Sequence, residues 1–421
     1  DLAVMGPGEE VIERLLLLGR QTKGKAEFLG RVVSDNSGYP LLSKDGPLVR
    51  GSRLDPPQGH VTTPRYRDED LKGKILFHTI VDGFGCTWNK CHFCTSSRLY
   101  SHYRPRPVEQ VIAEIREMVE KGIAFFRFSS SDSPLAHGRK IAQAILDQGL
   151  TVRYSMFTRA SAVTAARFEA YQTMIRAGLR AVFIGGETGH DLVNRSVMNK
   201  GVTRQDIADT IGAIRRAAAA AGERCKVGLA MIYPCPLPEG VSLGDVFEAN
   251  VAMVVQTQPD TVVVNPPGAF PETAWFEDSQ HFHFNIGHDF VSNLMRYEYA
   301  MYKPPELWPK LEISLEGQPM EKIVAETGRL RRTIASLGIP TEIADEYLMM
   351  ADAIGVVSKE DLMEFKRNSL IDIFSGSVTY TRGIIDRVNR SSMEISKNQG
   401  QPAMPPFSAA PEACASITNK Q

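Results

Sequence analysis

Three cysteines and a histidine fall within ten residues, GCTWNKCHFC at 85–94, while Cys225, Cys235 and Cys414 stand far apart. Thiolates grouped this closely are ligands for soft metals, and the pattern Cys86-x4-Cys91-x2-Cys94 admits several chemistries. A disulfide framework spreads its cysteines through a short secreted chain; here they form one knot in a chain of 421 residues. A closed zinc site needs four ligands, commonly from two pairs. No second pair is present, and His92, adjacent to Cys91, would strain a tetrahedral site. Close cysteines that are merely buried have no packing rationale. An iron–sulfur cluster on three thiolates is the third reading. It differs from the four-cysteine clusters of electron transfer by leaving one iron open to a substrate or cofactor.

The elements that would position this knot are legible around it. Apolar runs lie at 74–81 (KILFHTIV), 124–129 (AFFRFS), 152–157 (VRYSMF), 181–185 (AVFIG), 226–232 (KVGLAMI) and 261–265 (TVVVN). Such runs read as strands buried on both faces of a parallel sheet. Helical patterns separate them at 107–122, 137–149, 163–178, 203–222 and 242–257. The first places Val108, Val111, Ile112, Ile115, Met118 and Val119 on one face, opened by Pro107 and closed by Gly122. The fold class is therefore α/β, either a β/α barrel or an open doubly wound sheet. In both, ligands sit at the carboxyl ends of the strands, and the cysteine knot follows the first strand.

A three-cysteine loop in that place resembles the radical S-adenosylmethionine (SAM) superfamily, although the commonest spacing there, C-x3-C-x2-C, is one residue shorter in its first gap. The resemblance implies a (β/α)6 partial TIM-type barrel over 71–300 and a 4Fe–4S cluster on Cys86, Cys91 and Cys94. The open iron would chelate the amino and carboxylate groups of SAM. Reductive cleavage of the sulfonium then yields methionine and a 5′-deoxyadenosyl radical. Phe93, the aromatic before the last cysteine, would lie beside the adenine. SSSD at 129–132 stands where the family often has GGE, which makes Ser130 and Asp132 candidates for the methionyl amino group. A serine-rich turn is the alternative there. GGETGHDLVNRSVMNKG at 185–201 is similar to the family segment G-x-E-(S/T)-G…M-x-K-G, implying Glu187 at the ribose and Lys200 at the methionyl carboxylate.

Other residues at the strand ends keep two readings. Arg159 after the third strand either holds a cofactor or substrate anion or pairs with a carboxylate. Cys235 after the fifth strand is either a hydrogen-atom donor or thiyl carrier, or a small buried hydrophobe. NPPGAFPETAWFE after the sixth strand reads as a substrate-side loop. HFHFNIGH at 281–288 alternates His with Phe as on an exposed strand, with no paired acid, and reads as a non-metal segment.

Outside the barrel the chain changes character. DLAVMGPGEEVIERLLLLG reads as strand, glycine turn and amphipathic helix. It resembles the end of the cobalamin-binding domain that precedes the barrel in one subclass of the superfamily. Residues 1–35 are accordingly expected to be the remnant of an N-terminal doubly wound domain, with 36–70 a linker, 301–395 a helical C-terminal domain and 396–421 a disordered tail. No Asp-x-His-x-x-Gly cobalamin motif is present, so cobalamin is implied only through a domain mostly absent from this chain.

The formal net charge of −1 argues against a broad nucleic-acid surface. No run of about eighteen apolar residues predicts a membrane span, and the isolated cysteines suit a reducing cytoplasm. The leading expectation is a cobalamin-type radical methyltransferase or close relative. It would act on a small-molecule or peptide substrate and be reduced by a donor such as flavodoxin or ferredoxin. A cobalamin-independent radical rearrangement, cyclisation or decarboxylation is the second reading, and a zinc-stabilised binding module the third.

Overall fold

The computed structural model describes residues 2–4, 9–34, 41–43, 63–96, 100–290 and 312–400. At its centre lies a six-stranded parallel sheet made of β1 (Phe77–Ile80), β2 (Phe125–Phe128), β3 (Arg153–Arg159), β4 (Leu179–Glu187), β5 (Lys226–Ile232) and β6 (Thr261–Asn265). The connecting helices are α1 (Val108–Glu120), α2 (Leu135–Asp147), α3 (Ala165–Arg176), α4 (Arg204–Ala220) and α5 (Leu243–Thr257).

Strand order decides between the two architectures open to the sequence. The strands run β1 to β6 in chain order across the sheet, whereas a doubly wound sheet reverses direction at a switch point. Sequential parallel strands with crossovers of one hand put every helix on the same face and curl the sheet. No pairing joins β6 back to β1 among the described residues, so the barrel is partial.

Each strand divides its side chains between two cores. Phe126, Phe128, Met156 and Ile184 pack against α1 to α5. Phe125, Ala181 and Phe183 point the other way, onto a C-terminal set of helices. Ahead of that set, α6 (Met320–Ser336) packs into the main core beside α5 and β6; the set itself is α7 (Asp345–Ala353), α8 (Lys359–Ser375) and α9 (Thr379–Lys397). Together they close the barrel floor. Ion pairs Arg127–Asp345 (2.7 Å) and Arg153–Asp352 (3.0 Å) tie α7 to β2 and β3. Asn389 and Ser392 of α9 accept from the backbone N–H groups of Leu76 (2.7 Å) and Ala124 (2.8 Å), so the amino ends of the strands find their partners there. The carboxyl ends are left for the site.

Two expectations need adjusting. The helical pattern read from about 302 begins later among the described residues. Ile313–Leu315 and Gln318–Pro319 form a hairpin that pairs with Phe284–Ile286. Its turn, Glu316-Gly317, has both residues at positive φ, as two-residue hairpins require; that dipeptide was the signal to read. At the amino end the expected strand and helix are present as Leu2–Val4 and Glu9–Arg20, followed by a second helix, Lys25–Ser34. Leu2–Val4 pairs antiparallel with Leu41–Ser43, inside the stretch read as linker. Residues 36–40 and 44–62 of that linker and 401–421 of the tail lie outside the described residues. Among the described residues no helix is long and apolar enough to cross a membrane.

Candidate cluster and cofactor site

The cysteine loop leaves β1 and is bolted to the segment that follows β4. Trp88 Nε1 donates to the Asn199 carbonyl (2.7 Å), and Asn199 Nδ2 donates to the Lys90 carbonyl (2.9 Å). The His92 backbone N–H donates to the Met198 carbonyl (3.0 Å), while Trp275 N–H donates to the His92 carbonyl (3.2 Å). The His92 ring is used in the same way. Asn199 Nδ2 donates to Nε2 (3.2 Å), which makes Nδ1–H the donor to the Val197 carbonyl (3.1 Å). With both ring nitrogens directed at residues 197–199, His92 is not the fourth ligand that a zinc site would need. Trp88 and Asn199 are thus site-building residues that spacing alone had not singled out.

Gly201 makes the seam possible. It sits at φ +67°, and a Cβ there would stand 2.3 Å from the Trp88 ring. Gly201→Ala is expected to push Trp88 and the loop away from residues 197–199. The outcome to look for is a reconstituted protein that folds but retains less than half the wild-type iron, measured after desalting; full iron retention would show that the seam does not position the loop.

None of the three cysteines is in a disulfide, and Cys91 is buried while Cys86 and Cys94 are half-buried. Burial pushes the Cys91 thiol up to about 12, against the pull of the Lys200 ammonium nearby. Among the described residues no three His, Cys, Asp or Glu side chains converge on one metal ion.

Behind the loop lies a buried ion pair. Lys200 Nζ donates to Glu187 Oε1 at 2.6 Å, with both side chains about nine-tenths buried. Burial alone would lower the Lys200 ammonium, but Glu187 overrides it and holds the group above its ordinary range. Gly185 leaves room for the pair, since a Cβ there would come within 2.6 Å of Glu187 Oε1 and 2.7 Å of Lys200 Nζ. Glu187 itself is at φ +57°, an uncommon conformation of the kind concentrated at functional sites.

The other candidates sort by position. The Lys200 ammonium lies 5.9 Å over the Phe93 ring, which also packs against Trp275 (5.6 Å). Asp132 is buried, accepts from Thr87 Oγ1 (2.7 Å) and lies 3.9 Å from Cys86 Sγ. Arg159 donates through Nη2 to the Lys200 carbonyl (2.6 Å) and lies over the Trp88 ring (4.7 Å). The fold therefore brings Cys86, Cys91, Phe93, Asp132, Arg159, Glu187 and Lys200 to one end of the barrel.

Two named residues turn elsewhere. Ser130 directs its hydroxyl at Asp82 Oδ1 (2.5 Å) and the Gly83 carbonyl (3.0 Å). Cys235 is buried in the main core, and burial pushes its thiol up to about 12, the opposite of the electropositive, accessible setting of a reactive cysteine. Its place is that of a small hydrophobe. Asp82, which the sequence reading passed over, is fully buried just before the loop, and burial raises its carboxyl above the ordinary range. In the histidine segment Phe282 and Phe284 are buried and His283 is half-exposed, with a paired acid after all: Glu316 Oε2 lies 3.4 Å from its Nδ1.

Residues 80–233 match the family described as the Radical SAM superfamily. No curated protein sequence matches the chain. Among solved structures, the chain is similar to the radical S-adenosylmethionine methyltransferase TsrM from Kitasatospora setae with tryptophan substrate and a SAM analogue bound. Identity is 14%, the TM-score is 0.59, and the match covers 87% of this chain and 78% of that one. A second TsrM structure, with cobalamin and a [4Fe-4S] cluster, gives 13% identity and a TM-score of 0.46 over 76% of this chain and 61% of the other. The cobalamin-dependent SAM radical enzyme OxsB gives 14% and 0.39 over 76% and 53%. At 14% identity the likeness to the first of these is one of fold.

Proposed function

We propose, on the footing that residues 80–233 match the Radical SAM superfamily, that the chain is a radical SAM enzyme, a cobalamin-type radical methyltransferase or a close relative. The observation that carries the radical part is the three-cysteine loop, locked by Trp88, His92 and Asn199 onto the segment that holds the Glu187–Lys200 pair. What supports methyl transfer is the fold shared with TsrM, together with an N-terminal stretch that resembles the end of a cobalamin domain. The cluster and SAM supply the hard chemistry when bound, an electron and a sulfonium that yields a 5′-deoxyadenosyl radical.

The residues of this chain then have simpler work. Cys86, Cys91 and Cys94 hold the three liganded irons. Phe93 offers an apolar face to the adenine. Asp132, pinned by Thr87, is an acceptor for the methionyl ammonium, and Glu187 and Lys200 present one acceptor and one cation toward the ribose and methionyl carboxylate. Trp88 and Trp275 exclude water behind the loop, and the helical floor seals the far end of the barrel.

The test is anaerobic reconstitution of the chain followed by dithionite and SAM labelled in its methyl group, with and without added methylcobalamin. About four irons per chain and formation of 5′-deoxyadenosine are expected, with label passing to cobalamin or product. Cleavage that never moves label, with cobalamin supplied, would instead favour a cobalamin-independent rearrangement, cyclisation or decarboxylation. One zinc, no iron and no cleavage would sink the reading altogether.

A further inference from the structure

Beside the cysteine loop a cavity of about 680 Å³ opens between the carboxyl ends of β2 and β3 and the amino ends of α2 and α3. Its charge is lopsided. Arg139 and Lys140 from α2, Arg159 from the end of β3 and Arg167 from α3 line it, and the one acidic lining residue is Asp132. Asp132 is already engaged by Thr87, and Arg139 is shared with the exposed Glu169 at 3.2 Å. Arg159 is held rigidly by the Lys200 carbonyl and the Trp88 ring, yet its buried Nε has no hydrogen-bond partner among the described residues. Leaving such a donor unmade is costly.

The backbone adds to the same field. The first-turn residues Leu135 and Ala136 of α2 and Ala166 of α3 also line the cavity. First-turn N–H groups have no acceptor within their own helix, and helix amino ends carry partial positive charge. Side-chain cations, an orphaned guanidinium N–H and two helix amino ends therefore meet in one concavity. Its volume is that of a small-molecule site rather than of a lone ion, and Leu135, Ala160 and Ala170 give it an apolar wall.

We propose that this cavity binds a small organic molecule through a compact oxyanion, phosphoryl or carboxylate, with Lys140, Arg159 and Arg167 as its cationic clamp. The ligand lies against Thr87 of the cysteine loop, so the site sets the charge class of what approaches the cluster. The grip needs no iron, and the proposal goes beyond the assignment of radical chemistry.

The experiment is calorimetric titration of the full chain with inorganic pyrophosphate and, separately, with citrate. One saturable site is expected, with affinity that falls as salt rises. The stronger of the two ligands identifies the phosphoryl or the carboxylate source. Lys140→Gln with Arg167→Gln should raise Kd at least about tenfold, as loss of two charged contacts implies, whereas Lys322→Gln on the distant helix α6 should leave it unchanged. Ala136→Glu, which sets a carboxylate on the exposed rim of the cavity without removing any packing, should abolish binding and serves if the double variant folds poorly. Iron content and SAM cleavage in the reconstituted double variant should match wild type, which separates this site from the cluster. No saturable binding, or binding that both the double variant and Ala136→Glu leave intact, would overturn the proposal.

Discussion

Cys91→Ala is expected to abolish cluster retention and lower 5′-deoxyadenosine formation by more than about 100-fold, the upper end of what loss of a mere outer-shell partner costs a metal site. Cys91 is the buried member of the three, at 9% exposure, and its replacement leaves two thiolates for a cluster that needs three. The fold should barely register the change: removing one sulfur at a loop position costs about 1 kcal/mol, so the apo variant should unfold near the wild-type midpoint. That contrast makes the result specific, because an inactive but stable protein has lost its cluster rather than its structure. Cys86→Ala and Cys94→Ala should behave alike. Cys235→Ala should keep both iron and SAM cleavage, since that side chain belongs to the core. Undiminished SAM cleavage in all three loop variants would end the cluster assignment.

Lys200→Met should destabilise the protein by about 3–5 kcal/mol, the cost of stranding one charge of a buried pair. Glu187, held at positive φ and at 7% exposure, would keep its carboxylate without the ammonium 2.6 Å away. Combining Lys200→Met with Glu187→Gln should restore much of the loss in a denaturant titration, because no unpaired charge is then left behind. Equal instability of the single and double variants would mean that packing, not charge, is what Lys200 supplies. The pair also has a pH signature. Against the pull of burial, Glu187 holds the Lys200 ammonium above its ordinary range. A cation whose folded pKa exceeds its unfolded value of about 10.4 adds stability that is complete below that value and lost as pH rises through the folded one. Wild-type stability should therefore fall on the alkaline side of about pH 10, with a slope that the double variant lacks.

Part of the site was readable from local pattern because its chemistry is concentrated in short segments. The cysteine spacing, the GGETG turn and MNKG each announce themselves within a few residues. Trp88 and Asn199 could not be read that way. Their roles arise from a bond between positions 111 residues apart in sequence, and Trp or Asn in a loop has no distinguishing periodicity. Asp82 was hidden for a related reason: an aspartate before a glycine reads as a turn residue, and only burial against Ser130 shows otherwise. The hairpin at 313–319 was missed because a helical rhythm on its far side was extended backwards over an Glu-Gly turn signal.

The sequence by itself determined the alternation of six strands with five helices, the three-cysteine loop after the first strand and the acid–lysine segment after the fourth. Apolar runs of strand length and helical stripes are local consequences of burial and need no knowledge of neighbours. The apolar pattern left a barrel and a doubly wound sheet open, and only the family resemblance pointed to the partial barrel that the strand order bears out, since strand order depends on which edges pair rather than on what each strand contains. Tertiary structure alone decided that the C-terminal helices form the floor through Asp345, Asn389 and Ser392, and that Glu187 and Lys200 face each other. The same is true of the basic cavity: four cations from three elements add to one field only when folding sets them around one concavity.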